Sequence, residues 1–249
     1  MNYYSKIFWH FTGSPKDVDW GNINYPKDIL INKSPKSIGE SIEILKLILD
    51  SRKLKATCSE KIIASNTTEN FCCVTDIPLI NLKNHRRYYG DVAIGFSSQS
   101  IYSSFHPVFY IPRRLLTNNL VERIESIVVS SEEELNNIGI DEDTAMRSGF
   151  EKRKDGRYNV PVTEVKPKKL NDLEQNILSF LKSTEYGDDE GDSFYQEREW
   201  RKIQDFDFNK ENVTGIIVPQ EYIEDIINYL STKGYNNVNV LSWEFIEKS

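Results

Sequence analysis

The stretch SFYQEREWRKI, from Ser193 to Ile203, decides how the rest of the sequence is interpreted. Aromatic and charged residues alternate here with a period of two, which is typical of a half-buried β-strand. Because successive side chains of a strand point to opposite faces, Glu197 and Glu199 are predicted to project into the same space. Away from water, two such carboxylates are unfavourable unless cations or a ligand compensate them. Taken alone, the strand favours a solvated face with cross-strand ion pairs, so other segments must decide whether it forms a site.

Composition restricts the class of protein. With 249 residues, 39% of them hydrophobic, the chain can form one large domain or two small ones. A net charge of −7 argues against a broad nucleic-acid-binding surface. No apolar run reaches membrane-spanning length, and the N-terminus lacks a signal-peptide pattern. The three cysteines have neither metal-ligand spacing nor a disulfide framework. We therefore expect a reduced, cytoplasmic protein without a metal site or a membrane segment.

The order of predicted elements indicates an α+β fold. Short apolar runs bounded by turn residues predict strands, and apolar residues at helical spacing after a Ser37–Glu40 capping box predict a helix. A strand–helix–strand unit near the end of the chain predicts a parallel strand pair. The predicted strands are residues 7–11, 71–75, 92–97, 107–111, 193–203, 215–219 and 238–241, and the predicted helices are about residues 37–54, 118–137, 170–181 and 220–232. We expect a mixed β-sheet flanked by helices in a single domain, residues 1–249, with a variable polar insertion around residues 113–166.

Few side chains outside the Glu197–Glu199 strand are candidates for chemistry. His10 and Thr12 follow each other at the end of the first strand and share a face, so both can reach one ligand. The alternative is a half-buried histidine bonded to a backbone carbonyl. Ser97 and Ser98 follow the third strand without a neighbouring base, and their alternative role is to cap the end of that strand. No glycine-rich phosphate loop is present.

A basic and aromatic group of residues predicts contact with single-stranded nucleic acid. Arginines for phosphate contact alternate with tyrosines on which bases can stack. The alternative is a solvated basic turn beside core tyrosines, which the acidic balance of the chain favours. The residues concerned are Arg86, Arg87, Arg113 and Arg114, with Tyr88, Tyr89 and Tyr110.

An ordered set of short motifs resembles the AbiGi family. The motifs are WHFT (9–12), CCVTDIPL (72–79), HRRYYG (85–90), AIGFS (93–97), PVFYI (107–111) and EREWR (197–201). The resemblance covers about residues 7–112 and 194–241. That family is named for abortive phage resistance and is often labelled an antitoxin, which implies a co-encoded toxin or antitoxin as partner.

A more distant resemblance is to the ADP-ribosyltransferase fold, with DarT-like members nearest in character. It rests on a first strand with H-x-T, a central strand with aromatic residues or serine, and a late E-x-E strand after a loop. The resemblance implies a split β-sheet and NAD as the substrate that donates ADP-ribose. Glu199 would be the catalytic glutamate, and Glu197 its upstream partner. A histidine-type first motif combined with E-x-E departs from the usual pairing of motifs.

The same resemblance implies which residues contact NAD. His10 and Thr12 would hold the ribose and nicotinamide side. Ser97 and Ser98 fit the serine-type variant of the second motif, and Tyr88, Tyr89 or Tyr102 would stack on nicotinamide.

Two functions remain open at this point. The first is an NAD-dependent ADP-ribosyltransferase in phage defence, with a nucleic acid or a protein as acceptor. The second is a non-catalytic antitoxin or sensor that uses the same scaffold to bind a partner protein. A third class, a nuclease, is not supported, because the sequence shows no set of carboxylates for binding its metal ions.

Overall fold

A computed structural model of the chain describes residues 5–19, 23, 25–31, 33–63, 66–112, 143, 151–152, 158–159, 177–185, 191 and 193–248. The chain divides into two units, one formed by Met1–Pro112 with Gln175–Ser249 and the other by Arg113–Glu174. The second unit overlaps the polar insertion that the sequence predicts, and its status within a single domain stays a prediction. The elements below belong to the first unit, apart from one two-stranded hairpin.

The described residues form short helices and a mixed set of strands. The strands are β1 Ile7–Phe11, β2 Lys53–Leu54, β3 Lys61–Ile63, β4 Asn66–Thr67, β5 Phe71–Thr75, β6 Ala93–Ser97, β7 His106–Pro107, β8 Phe109–Pro112, β9 Glu151–Lys152, β10 Tyr158–Asn159, β11 Leu181–Thr184, β12 Glu199–Ile203, β13 Phe206–Asp207, β14 Val213–Val218 and β15 Asn239–Ser242. The α-helices are α1 Ile38–Ser51, α2 Leu82–Tyr89, α3 Ser98–Tyr102, α4 Ile223–Lys233 and α5 Trp243–Glu247. The hairpin of the second unit is β9 with β10.

The main sheet has seven strands in the order β15-β14-β6-β1-β5-β12-β7. Strands β14 and β15 are parallel, and α4 lies between them in the sequence. The other neighbouring strands in the sheet are antiparallel. This mixed sheet with helices confirms the predicted α+β class, and the parallel pair at the end of the chain is also confirmed.

The sheet is almost divided in its middle. Strand β1 pairs with β6 along its whole length, and β5 pairs likewise with β12. Between these two halves, β1 and β5 form a single backbone pair, Trp9 with Thr75. Where two strands diverge in this way, the space between them can hold side chains or a ligand.

Helix α1 begins as the sequence predicts. The Ser37 side chain accepts a hydrogen bond from the Glu40 amide at 3.3 Å, and the Glu40 carboxylate accepts one from the Ser37 amide at 3.2 Å. The helix ends earlier than predicted, because Arg52 adopts a left-handed φ of 51° and the chain continues as β2. Its inward residues Leu45 and Leu49 are buried in the larger of two apolar cores.

Trp9 packs across two strands of the sheet at glycine positions. A Cβ on Gly95 would lie 2.7 Å from the Trp9 ring and 2.6 Å from Ile7, and a Cβ on Gly215 would lie 3.0 Å from the same indole. The absence of side chains at both glycines therefore makes room for the indole. Trp9 belongs to the second apolar core, together with Phe11 and Trp243.

Several predicted elements differ from the structure. Residues 194–197 form a 3-10 turn, so Glu197 precedes the strand instead of lying on it. Residues 85–89, predicted only as a basic, aromatic segment, belong to α2. The predicted fourth strand is two strands, β7 and β8, with different neighbours. Leu181 begins a strand where a helix was predicted. The helix predicted at 118–137 lies outside the described residues.

Candidate active site

A cavity of about 90 Å³ lies beside the divided middle of the sheet. His10 and Phe11 of β1 contribute to one wall, and Cys73 and Thr75 of β5 contribute to another. The residues that line the cavity with a polar or ionisable side chain are His10, Ser14, Cys58, Glu60, Cys73, Thr75, His85, Tyr89, Lys182, Glu197 and Glu199. The two glutamates of the E-x-E stretch therefore share a cavity with His10 and Tyr89, although about 190 positions separate His10 from Glu199.

The turn before β12 aims both glutamates at this cavity. Ser193 caps the 3-10 turn by accepting a hydrogen bond from the Tyr195 amide, and Glu197 is the last residue of the turn. Thr75 donates its hydroxyl hydrogen to the Glu197 carbonyl at 2.6 Å. Arg198 takes a left-handed φ of 46°, and its guanidinium binds Asp76 at 2.5 and 3.0 Å. These contacts fix Glu197 just before the strand, so its carboxylate and that of Glu199 converge.

Lys182 of β11 lies between three carboxylates. Its Nζ is 2.9 Å from Glu197 Oε2, 2.9 Å from Glu199 Oε2 and 3.2 Å from Glu60 Oε1. Burial opposes the charge of this lysine, but the three neighbouring carboxylates outweigh burial and raise its pKa well above the ordinary value. Lys182 is therefore a fixed cation of the site and no candidate for a neutral nucleophile.

Arg201 is the second cation, and it is fully buried. Its Nε donates to Glu199 Oε1 at 2.7 Å, and its two terminal nitrogens donate to Glu60 Oε2 at 2.5 Å and to the Ser179 carbonyl at 3.0 Å. The guanidinium also stacks at 4.1 Å on the Phe71 ring. Glu197, Glu199 and Arg201 are thus at most 7% exposed. A solvated strand face, which the strand alone favoured, is therefore wrong for these residues.

The two neighbouring glutamates differ in acidity. Burial would raise the pKa of Glu199, but the charges of Arg201 and Lys182 overcome it and lower that pKa to about 2. At Glu197, burial wins over Lys182, and the charge of Glu199 adds to it, so the pKa is raised. Glu199 is consequently the permanent anion of the pair, and Glu197 is the carboxyl that exchanges a proton more readily.

Aromatic rings and neutral histidines surround the glutamates. The Tyr89 hydroxyl donates a hydrogen bond to Glu197 Oε1, and burial together with that carboxylate raises the pKa of Tyr89 well above its ordinary value. His85 stacks on Tyr89 at 4.3 Å, and burial lowers its pKa to about 3. Burial likewise lowers the pKa of His10 to about 4. Its Nδ1 lies 2.9 Å from the Cys73 carbonyl, which can only accept, so this nitrogen carries the proton.

Other candidates from the sequence lie elsewhere. The Thr12 hydroxyl donates to the Ser41 carbonyl at 2.8 Å, and Thr12 does not line the cavity. Ser97 caps α3 by accepting a hydrogen bond from the Ser100 amide, and Ser98 is the first residue of that helix. Tyr102 is half exposed and packs against Phe8 and Trp200. Neither serine lines the cavity, and neither Tyr88 nor Tyr102 does.

The predicted nucleic-acid contacts are only partly described. Arg86 pairs with Asp91 at 2.7 Å and with Glu247 at 2.6 Å, so its charge is already compensated. Arg87 is exposed on the same helix. Arg113 and Arg114 lie outside the described residues. A nucleic-acid surface therefore stays a prediction.

Sequence reasoning missed Glu60, Lys182 and Arg201 as members of the site. Arg201 carried a signal, because a residue two positions after Glu199 shares its strand face. Lys182 and Glu60 carried none, since Lys182 directly follows a predicted helix and Glu60 lies in an unassigned stretch. Within the described ranges, no group of three or more His, Cys, Asp or Glu side chains can hold a metal ion. No helix in the described part of the chain has both the length and the apolar character needed to cross a membrane.

Fold and cavity together define an α+β protein with a mixed sheet, divided in the middle, and a buried carboxylate site at the division. Residues 44–243 match the family described as "Putative abortive phage resistance protein AbiGi, antitoxin". This chain belongs to the AbiGi family.

Comparison with individual proteins adds little. No curated protein matches the sequence. Among solved structures, the chain is similar to DarT of Thermus sp. 2.9 in complex with carba-NAD+, with a TM-score of 0.36, and to the same protein in complex with NAD+, with a TM-score of 0.37. Both likenesses have 10% sequence identity and cover 95% of each chain.

Proposed function

We propose that this AbiGi protein is an NAD-dependent ADP-ribosyltransferase of anti-phage defence, which transfers ADP-ribose to a nucleic acid or a protein. One observation carries the proposal. Glu197 and Glu199 converge on one cavity, and their pKa values move in opposite directions. Such a difference separates the role of charge stabiliser from that of proton carrier. The single backbone pair between β1 and β5 supports an ADP-ribosyltransferase-like split sheet around the site.

The charge of the site suits the nicotinamide end of NAD. Three carboxylates (Glu60, Glu197 and Glu199) and two cations (Lys182 and Arg201) carry a net charge of −1 when all five are ionised. The nicotinamide ring of NAD carries one positive charge, and aromatic side chains favour a cationic ring. The cavity is smaller than the roughly 300 Å³ from which ligand pockets usually start. We therefore place only the nicotinamide end of NAD inside it.

The proposed reaction begins with cleavage of the bond between the nicotinamide nitrogen and ribose C1′. Its electron pair stays on the ring nitrogen, and positive charge develops on the ribose. The Glu199 carboxylate, with its pKa near 2, is an anion at neutral pH and stabilises that charge. A neutral His10 adds no opposing charge, and its Nε2 is left to accept a hydrogen bond from a ribose hydroxyl.

Transfer is completed at Glu197. The nucleophilic atom of the acceptor bonds to C1′, and its proton passes to the Glu197 carboxylate. The raised pKa of Glu197 makes it a better proton acceptor than Glu199. Tyr89, through its hydrogen bond to Glu197 Oε1, holds the carboxylate in position and need not stack on nicotinamide. Thr12, Ser97 and Ser98 have no step in this scheme.

Label transfer tests the proposal. NAD labelled in its adenosine part is incubated with the purified chain and, separately, with RNA, DNA or cell extract. We expect label on one class of acceptor with the wild type and none with Glu199→Gln. The matched control is Glu43→Gln, a surface change at a side chain that is 69% exposed on α1. Equal labelling by all three proteins, or by none, would contradict the proposal.

A second function is favoured by one specific observation. All four carboxylate oxygens of Glu197 and Glu199 already have hydrogen-bond partners within the protein. A carboxylate cluster whose hydrogen bonds are all satisfied within the protein can hold the fold without taking part in catalysis. The family description also includes the word antitoxin. In this case the chain would neutralise a co-encoded toxin by binding it. Co-expression of each version with the toxin, and expression of each version by itself, separate the two functions. A Glu199→Gln protein that still folds and still neutralises the toxin supports the antitoxin. Growth inhibition that the wild type causes and Glu199→Gln does not cause supports the transferase.

A further inference from the structure

Two cysteines line the cavity, and neither has a place in the proposed reaction. Cys58 forms an isolated antiparallel bridge with Phe71, in which its amide donates at 3.2 Å and its carbonyl accepts at 2.9 Å. Residues paired across such a bridge share a face, and so do residues two apart on one strand. Cys73 is therefore the diagonal neighbour of Cys58 on the cavity side of β5.

The two thiols differ in reactivity. A hydrogen bond from Cys73 lowers the pKa of Cys58 in spite of burial, while the same contact and burial raise the pKa of Cys73 well above the ordinary value. Because the thiolate is the nucleophile, Cys58 is the attacking sulfur and Cys73 the resolving one. Cys72 points to the other face of β5, where it is 2% exposed and burial raises its pKa to about 12.

We propose that Cys58 and Cys73 form an oxidisable pair that closes to a disulfide inside the cavity when hydrogen peroxide reaches it. The Cys58 thiolate attacks one peroxide oxygen, so that an S–O bond forms, the O–O bond breaks, and the departing hydroxide takes up a proton to become water. The Cys73 sulfur then attacks the sulfur of the sulfenic acid. An S–S bond forms, the S–O bond breaks, and the leaving hydroxide departs as a second water with the Cys73 proton. Two thiols lose two electrons, and one peroxide is reduced to two waters.

Closure of this disulfide changes the carboxylate site. Diagonal neighbours across an antiparallel pair are about 7–8 Å apart, whereas disulfides usually span about 4.4–6.8 Å between Cα atoms. The segment around Cys58, which this bridge joins to β5, must therefore move toward β5. Glu60 lies two residues further along this segment and pairs with Arg201 at 2.5 Å and Lys182 at 3.2 Å. Oxidation thus displaces one carboxylate of the cluster and alters the charge around Glu199.

Thiol counting and peptide mapping test this pair without NAD, so a failure here leaves the proposed function untouched. The full-length wild type is treated with hydrogen peroxide under native conditions. We expect two of its three thiols to be lost, a cross-linked peptide containing Cys58 and Cys73, and recovery of both thiols with dithiothreitol. Cys72→Ala is the matched control and should behave like the wild type.

The single variants Cys58→Ser and Cys73→Ser should give no intramolecular cross-link. A bond that involves Cys72, a cross-link between two chains, or thiol loss that requires denaturant would each overturn the proposal. Mapping of the wild type alone already decides the pairing, so the test holds even if a serine variant fails to fold.

Discussion

At the scale of single residues, Arg201 and Lys182 keep Glu199 ionised. A carboxylate this deeply buried is unfavourable in isolation, and its two cations are held at 2.7 and 2.9 Å. Removing one member of a buried ion pair leaves the other without compensation, which is costlier than losing a surface pair. From the sequence alone, an exchange of Glu199 for its isosteric amide would be expected to leave the fold intact. Burial of Arg201 changes that expectation.

We predict that Glu199→Gln lowers the free energy of unfolding by about 3–5 kcal/mol, because Arg201 and Lys182 lose one of the two anions that they share and keep only Glu60 in common. Urea unfolding of the purified proteins measures the change. Glu43→Gln, on the exposed face of α1, should change the same free energy by at most about 0.5 kcal/mol. Equal unfolding midpoints for both variants and the wild type would show that the cluster does not stabilise the fold.

His85 makes stability depend on pH, and the direction follows from its lowered pKa. The unfolded chain takes up a proton on this histidine below about pH 6.5, whereas the folded chain does so only near pH 3. Stability is therefore full above pH 6.5 and falls as the pH decreases toward 3. His85→Phe keeps a ring against Phe11 and Tyr89 but cannot titrate.

Between pH 6.5 and pH 5, we expect the wild type to lose about 1.5 kcal/mol more of its unfolding free energy than His85→Phe does. His10, with a pKa near 4, gives a similar slope that both proteins share. Urea titrations at the two pH values measure the difference. Equal losses of unfolding free energy in the two proteins would mean that the fold does not keep His85 neutral.

At the scale of elements, periodicity identified most strands but not the turn that makes the site. Residues 199–203 alternate as a strand should, and the structure places β12 there. Glu197 looked like part of the same alternation, yet it ends a 3-10 turn. That turn depends on contacts with Thr75 and Asp76, both distant in sequence, and on a left-handed Arg198. No local pattern contains this information.

The packing of Trp9 on glycine gives a prediction for the sheet. Gly95→Ala places a methyl group 2.7 Å from the Trp9 ring, so β1 or β6 must shift. We expect a loss of about 1–3 kcal/mol in unfolding free energy, as for other overpacked cores. The matched control is Gly39→Ala in α1, where nothing beyond the chain neighbours and the helix's own backbone lies within 4 Å of the new Cβ, and the change should stabilise the helix by about 0.5–1 kcal/mol. Thermal melts compare the two; a Gly95→Ala protein as stable as the wild type would contradict this packing.

At the scale of the whole molecule, the sequence allowed the α+β class and the AbiGi family to be predicted, and both are confirmed. The site could be predicted only in part. His10, Tyr89, Glu197 and Glu199 carried visible motifs, and the structure brings all four to one cavity. Lys182 could not be predicted, because it reaches the glutamates through β11, which pairs in parallel with β8 and follows a long insertion. Charges that neutralise a buried site come from wherever the fold supplies them, and spacing along the chain does not reveal them.

Release of free nicotinamide from NAD tests most directly whether Glu197 and Glu199 divide the catalytic work. Rates are compared at saturating NAD for the wild type, Glu199→Gln, Glu197→Gln and the surface control Glu43→Gln, at a temperature where all four are folded. We predict that Glu199→Gln slows release by about a hundredfold or more, as loss of a preorganised electrostatic group commonly does. Glu197→Gln should retain NAD cleavage but lose transfer to the acceptor. The central claim is contradicted if the wild type releases no nicotinamide with any acceptor present, or if Glu199→Gln releases it as fast as the wild type.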